Sequence, residues 1–202
     1  MWSQSISIWL KAIYFYLANL VHFLPVFPLL YVPFLGDLLL SVMIKQKLQN
    51  GRVSSFNAIG ECCPYMKTFV SLKITFAVFS GIGGDVPVLG EYLEIKYARY
   101  KAMLSNVMVF ENVKDKKTCK ARCQSLVYGK GVAIRTIYTL PLLLFCAFLV
   151  AWTYYVSEYQ PSHPILLLFV PLILYKPLSD AVNTFLFLEL VKEQNGNLIN
   201  IS

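Results

Sequence analysis

Seven ionisable side chains fall at positions expected to lie within apolar helices, and they are the residues best placed to do chemistry. They are Asp37, Lys73, Glu91, Glu94, Arg99, Lys176 and Asp180. A charge within an apolar helix is costly unless it meets an opposite charge or water. Lys176 and Asp180 are one helical turn apart and can pair with each other. The set predicts either charges that neutralise one another and fix helix register, or a polar interior that receives a lipid headgroup or an ion.

A basic run follows the fourth apolar stretch. Its members are Lys114, Lys116, Lys117, Lys120, Arg122 and Lys130. The apolar residues beside them recur at helical spacing: Cys119, Cys123, Leu126 and Val127. A helix with one basic and one apolar face is suited to lie on an anionic membrane surface. The run therefore predicts an interfacial helix whose partners are anionic lipid headgroups.

Four of the five cysteines lie in two basic segments and could form a thiolate site if those segments met. They are Cys62, Cys63, Cys119 and Cys123. Adjacent cysteines are poorly placed for the tetrahedral geometry of a structural metal ion. We predict no metal and no cofactor. The sequence also lacks a nucleophile elbow, a zinc-protease helix and a nucleotide fingerprint, so we do not expect an enzyme.

The composition indicates an integral membrane protein. Of 202 residues, 57% are hydrophobic and only 14% are charged, against roughly 25% charged in soluble domains. The net charge is +7, but the basic residues lie beside apolar stretches, which favours anionic headgroups over nucleic acid as partners. We predict one membrane domain over 1–202.

The apolar runs predict an all-α, multi-pass transmembrane helical bundle of about six spans, with two amphipathic interfacial helices on the cytoplasmic side. The spans are 8–24, 26–44, 67–83, 86–110, 133–156 and 165–190. Lys11 and Asn19 interrupt the first span, so an interfacial helix is the alternative there.

The distribution of positive charge predicts the orientation. The turns 21–26, 80–87 and 157–164 contain no Lys or Arg. The basic connection 45–67 and the basic run fall on the opposite side, which the positive-inside rule places in the cytoplasm together with both termini. Within the connection, the predicted apolar helix face consists of Phe56, Ile59 and Cys63.

Two patterns in the C-terminal half carry a family resemblance. The first consists of Arg99 and Tyr100, the apolar run 107–110, Glu111, Cys119, Arg122, Cys123, Leu126 and Gly129. The second consists of Pro177, Leu178, Phe187, Leu190 and Gly196. Together they resemble the membrane domain attached to some glycerophosphodiester phosphodiesterases and its stand-alone YciC-like relatives, which are bacterial inner-membrane proteins. The family's Ala and Ser in the first pattern are Cys119 and Cys123 here.

The resemblance implies a multi-pass protein of the cell inner (cytoplasmic) membrane without hydrolase activity of its own. We therefore expect a non-enzymatic structural or partner-binding component of the cell envelope, in contact with membrane lipids and with a membrane-protein partner. The alternative is a transporter or lipid-handling protein that uses a polar intramembrane cavity. A membrane hydrolase is the third reading, for which the sequence offers no catalytic motif.

Overall fold

The computed structural model describes residues 2–30, 32, 35–84, 103–128, 130, 146–158 and 164–195. Every regular element in these ranges is helical, so the predicted all-α class is confirmed. The helices are α1 (Trp2–Ala18), α2 (Leu20–Phe23), α3 (Phe27–Leu30), α4 (Leu35–Asn50), α5 (Ser55–Gly84), α6 (103–110), α7 (Lys116–Val127), α8 (146–158) and α9 (Pro164–Asn195). A 3₁₀ turn at Leu24–Val26 joins α2 to α3.

The N-terminal apolar stretch forms a bent unit. The chain bends by 71° between Gln4–Ala18 and Leu20–Leu30. The break falls at Asn19, whose side-chain amide donates to the Phe15 carbonyl at 2.8 Å. Among the described residues no single helix has both the length and the apolar character needed to cross a membrane, whereas this bent pair together does.

The predicted span 26–44 is interrupted in the structure. Helix α3 ends at Leu30 and α4 begins only at Leu35. At Gly36 the backbone approaches α3 so closely that a Cβ would lie 2.0 Å from the Leu30 carbonyl oxygen. Only glycine permits this approach, so α3 and α4 form a tight helical hairpin rather than one continuous helix.

Helix α5 joins two segments that the sequence separates. The predicted interfacial helix in 45–67 and the predicted span 67–83 lie on this one helix, which continues through Pro64. Its buried face contains Ala58, Cys62, Tyr65 and Phe69. Phe56 and Cys63 of the predicted apolar face lie outside this buried face, since the side chain of Phe56 is 77% exposed and Cys63 is also exposed.

The bend between α1 and α3 lies next to the start of α5. The hydroxyl group of Ser55 donates to the backbone carbonyl of His22. The predicted orientation places 21–26 and 45–67 on opposite sides of a membrane, whereas in the structure the two segments touch at His22 and Ser55.

Helix α9 is the common packing partner. It contacts α1, α4 and α7, and Phe185 packs edge-on against Phe15 of α1 with ring centroids 6.1 Å apart. The parts 86–102 and 133–145 of two predicted spans lie outside the described residues.

Candidate functional site

Four of the seven predicted interior charges meet at one place. Asp37 lies in the first turn of α4 and accepts a hydrogen bond from Lys73 of α5. Its other oxygen, Oδ1, lies 3.2 Å from Nζ of Lys176 on α9. The same Nζ lies 2.7 Å from Oδ2 of Asp180, which confirms the pair expected from their spacing. Glu91, Glu94 and Arg99 lie outside the described residues.

This charge cluster of Asp37, Lys73, Lys176 and Asp180 contains two carboxylates and two ammonium groups, so its formal charges cancel. Only 5% of the Lys73 side chain is exposed, whereas 39% of the Lys176 side chain is. The Lys73 ammonium also lies 5.1 Å from the centroid of the Phe69 ring, within range of a cation–π contact. The cluster joins α4, α5 and α9 through mutually satisfied charges.

Polar contacts continue from the cluster along α4 to α6. The Ser41 hydroxyl lies 2.8 Å from the Asp37 carbonyl oxygen and 3.0 Å from Oδ1 of Asn106, to either of which it can donate. One turn further, Lys45 donates to the Val109 carbonyl at 2.6 Å. Asn106 is fully buried. These bonds satisfy polar groups that would otherwise be costly in the core, and they fix α6 against α4.

The basic run forms α7, which begins at a side-chain cap. Asp115 accepts from the Thr118 amide at 2.8 Å, and the Thr118 hydrogen bonds lower the pKa of this carboxyl group. The predicted apolar stripe is buried: Cys119, Cys123, Leu126 and Val127. These side chains belong to the protein's own core. Helix α7 thus turns its apolar face to the protein and leaves its basic face outside.

Arg122 and Lys130 of the basic run form ion pairs with carboxylates of the protein. Nε of Arg122 lies 2.8 and 2.9 Å from the two carboxylate oxygens of Glu111. The Arg122 guanidinium also donates from Nη1 to Gln194 of α9 at 2.8 Å, and Lys130 pairs with Glu193. The four other members have exposed side chains: Lys114, Lys116, Lys117 and Lys120.

Residues 112–115 form an irregular strap along α5, directly before α7. The Tyr65 hydroxyl donates to the Asn112 side chain at 2.9 Å. The Thr68 hydroxyl donates to the Lys114 carbonyl at 3.0 Å. Lys116 then donates to the Ser71 hydroxyl. Each step along the strap thus matches about one turn of α5.

A surface groove of about 570 Å³ lies on α5 beside the strap. We call it the α5 groove; it is lined by Met66, Lys67, Val70, Ser71, Ile74 and Thr75. Sequence reasoning missed it because the strap and α5 are more than forty residues apart in the chain. The sequence pattern that could have indicated the groove is the recurrence of Lys67, Ser71 and Ile74 on one face of a helix.

The cysteines are free thiols. Burial raises the pKa of Cys62 to about 12. The hydrogen bond with Cys119, together with burial, raises the pKa of the Cys123 thiol. Within the described ranges, no three His, Cys, Asp or Glu side chains are grouped as metal ligands.

Large apolar side chains cover the outward face of the N-terminal unit. They are Ile6, Leu10, Tyr14, Leu17, Val21 and Leu24. On α8, Phe148, Trp152 and Tyr155 form a row of stacked rings with centroids 6.0 Å apart at each step, and Val150 and Tyr154 are exposed beside it. The outer surface of these elements is therefore largely apolar, with Lys11, His22 and Glu158 as exposed polar exceptions, while Lys73 of the charge cluster is buried.

No family model, curated protein or solved structure matches this chain. The resemblance to the YciC-like family stays a prediction. Of its first pattern, 107–110, Glu111, Cys119, Arg122, Cys123 and Leu126 are described, and the structure brings the acidic residue and the arginine together as an ion pair.

Proposed function

We propose that this chain is a non-enzymatic multi-pass protein of a bacterial inner membrane that serves as a structural or partner-binding component of the cell envelope. The observation that carries the proposal is the inverted distribution of side chains. Interior charges pair with one another in the cluster, whereas the outward side chains of the N-terminal unit and α8 are large and apolar. Such a distribution is typical of a helical bundle surrounded by lipid.

The segment from α2 to α4 is better suited to enter and leave the membrane on the same side, as a re-entrant segment, than to cross it. The contact between Ser55 and His22 brings the bend of the N-terminal unit to the start of α5. From there α2 and α3 lead to the tight approach at Gly36, and α4 returns towards Gly51. Broken helices at membrane depth are tolerated where protein covers the turn. We therefore propose that α2–α4 enter and leave the membrane on one side.

The charge cluster favours a structural role over a transport path. All four charges have partners on neighbouring helices or one turn away, so no ligand is needed to neutralise them. A lipid-handling protein with a polar cavity is the second candidate, and one observation favours it. Lys176 is more than a third exposed although it holds two carboxylates, which would leave one side of the cluster open to a headgroup.

The first experiment tests membrane integration. Membranes from cells that express the full chain are washed with alkaline carbonate and then extracted with mild detergent. We expect the protein to resist carbonate and to enter detergent, because its outward apolar side chains require lipid or detergent contact. Release by carbonate alone would overturn the proposal.

The second experiment separates the two candidates. The detergent extract is purified under native conditions, and retained proteins and lipids are identified by mass spectrometry. A recurrent membrane-protein partner in stoichiometric amount supports the structural role. A stoichiometric lipid that is lost from a Lys176→Met variant, but kept by a Lys192→Met control, supports the polar cavity instead.

A further inference from the structure

We propose that the α5 groove binds one anionic phospholipid, with its phosphate held between Lys67 and Lys116 and one acyl chain lying along α5. This inference rests on the membrane location proposed above and deepens it by naming a site and a class of lipid. The two ends of the groove differ in chemistry, one being basic and the other apolar.

The basic end is assembled from two separate parts of the chain. Lys67 belongs to α5, whereas Lys116 is brought alongside by the strap and is held at Ser71. An ammonium group has three N–H donors, so the bond to Ser71 leaves Lys116 with donors for a phosphate oxygen. Among the described residues no carboxylate lines this groove. The nearest acid in sequence, Asp115, already accepts two hydrogen bonds from Thr118.

The other end of the groove is apolar and exposed. Ile74 is 50% exposed, and Val78, one turn further along α5, is 52% exposed. From Lys67 to Val78 the helix rises about 16 Å at ~1.5 Å per residue. One leaflet contributes about 15 Å of hydrocarbon to a bilayer, so the polarity change along α5 has the dimension of one lipid chain.

Charge and shape together select an anionic phospholipid. The α5 groove is an open surface depression of about 570 Å³, in which a headgroup and the upper part of one chain can lie against α5. Two lysines favour a headgroup with net negative charge, because the choline group of a zwitterionic lipid adds a positive charge beside them. A soluble phosphate compound would meet the lysines but would leave Ile74 and Val78 uncovered.

The test uses the full-length protein reconstituted in nanodiscs that contain equal amounts of phosphatidylglycerol and phosphatidylcholine. Bound lipid is counted by native mass spectrometry after release from the disc. We expect wild type to retain one phosphatidylglycerol per chain. Lys67→Gln and Lys116→Gln should each reduce the preference for phosphatidylglycerol over phosphatidylcholine about fivefold, because a basic residue near a membrane surface contributes about 1 kcal/mol. The double variant should show no preference between the two lipids. Ile74→Asn should weaken retention of the lipid at unchanged charge.

Lys192→Gln is the matched control, because Lys192 is exposed at the end of α9 and does not line the groove. Equal retention by wild type and the double variant would overturn the proposal. So would displacement of the lipid by millimolar inorganic phosphate, or a protein dimer that the double variant abolishes, since either result assigns another occupant. A chain that integrates into discs without any lipid preference would refute this site and leave the proposed membrane function standing.

Discussion

Lys73 reaches from the middle of α5 to Asp37 at the start of α4 and forms an ion pair with only 5% of the lysine side chain exposed. An ion pair this well covered is costly to break, because the remaining charge stays in a poorly hydrated place. Asp37 also forms an ion pair with Lys176, so the carboxylate has two lysine partners. The effect of replacing Lys73 or Asp37 on the free energy of unfolding therefore depends on which charges of the cluster remain unpaired.

Replacing Lys73 with Met is expected to lower the free energy of unfolding by about 3 kcal/mol, the scale for breaking a buried pair. The double variant Asp37→Leu with Lys73→Met leaves only the neutral pair of Lys176 and Asp180, so most of the loss should be regained. Thermal denaturation in detergent measures both. Strictly additive losses in the double variant would contradict the cluster as described.

Gly36 provides a test of the hairpin between α3 and α4. A methyl group there would collide with the backbone of Leu30, so Gly36→Ala should destabilise the protein by about 1–3 kcal/mol, the usual scale for overpacking. Gly60→Ala is the control, because a Cβ at Gly60 meets nothing within 4 Å. That change should be neutral or stabilise α5 by about 0.5–1 kcal/mol. Equal melting temperatures for the two variants would reject the close approach.

The thiols of Cys62 and Cys63 should differ in reactivity although they are neighbours. Cys62 is buried with a pKa raised to about 12, whereas Cys63 is exposed. Maleimide at pH 8 should therefore modify a variant that retains Cys63 and spare one that retains Cys62, until denaturant is added. Each variant has the other four cysteines replaced by Ala or Ser, and intact mass measures the label.

The raised pKa of Cys62 also predicts a dependence of stability on pH. The folded-state pKa lies above the ordinary value of 9.0, so the neutral thiol contributes stability in full below about pH 9. That contribution is lost as the pH rises towards 12, because the unfolded state ionises first. A Cys62→Ala variant should lack this part of the alkaline loss, while Cys63→Ala should keep it.

Arg122 is predicted to secure α7 rather than to bind lipid. Its guanidinium contacts Glu111 and Gln194, a geometry that lysine cannot reproduce. Arg122→Lys should increase labelling of the buried thiols of Cys119 and Cys123, whereas Lys117→Gln should leave it unchanged. Labelling that rises equally in both variants would point to a general effect of charge instead.

The contact of Ser55 with His22 predicts which side of the membrane each segment faces. Single cysteines introduced at His22 and Arg52, in a chain whose native cysteines are replaced, should both react with an impermeant reagent from the same side. The expectation from sequence, with 21–26 outside and 45–67 inside, requires opposite sides. Labelling from opposite sides would refute the re-entrant arrangement.

The sequence predicts those features that depend on local spacing. The all-α class follows from periodic apolar runs, and the pairing of Lys176 with Asp180 follows from their separation of one turn. The buried face of α5 could not be chosen this way, because apolar residues occur on two faces and only packing against other helices decides which is covered. The pairing of Asp37 with Lys73 joins separate helices, and periodicity carries no information about such contacts.

The separation of Asp37 from its partners along the chain has a consequence for biosynthesis. Lys73 follows it by 36 residues and Lys176 by 139. At about 5–20 residues per second, a ribosome needs roughly 7–28 s to supply the second partner. Helix α1 likewise packs mainly against α9, which is the last helix in sequence among the described residues. A nascent chain that stalls before α9 should therefore display a half-paired aspartate and an uncovered apolar helix, both of which mark it for quality control.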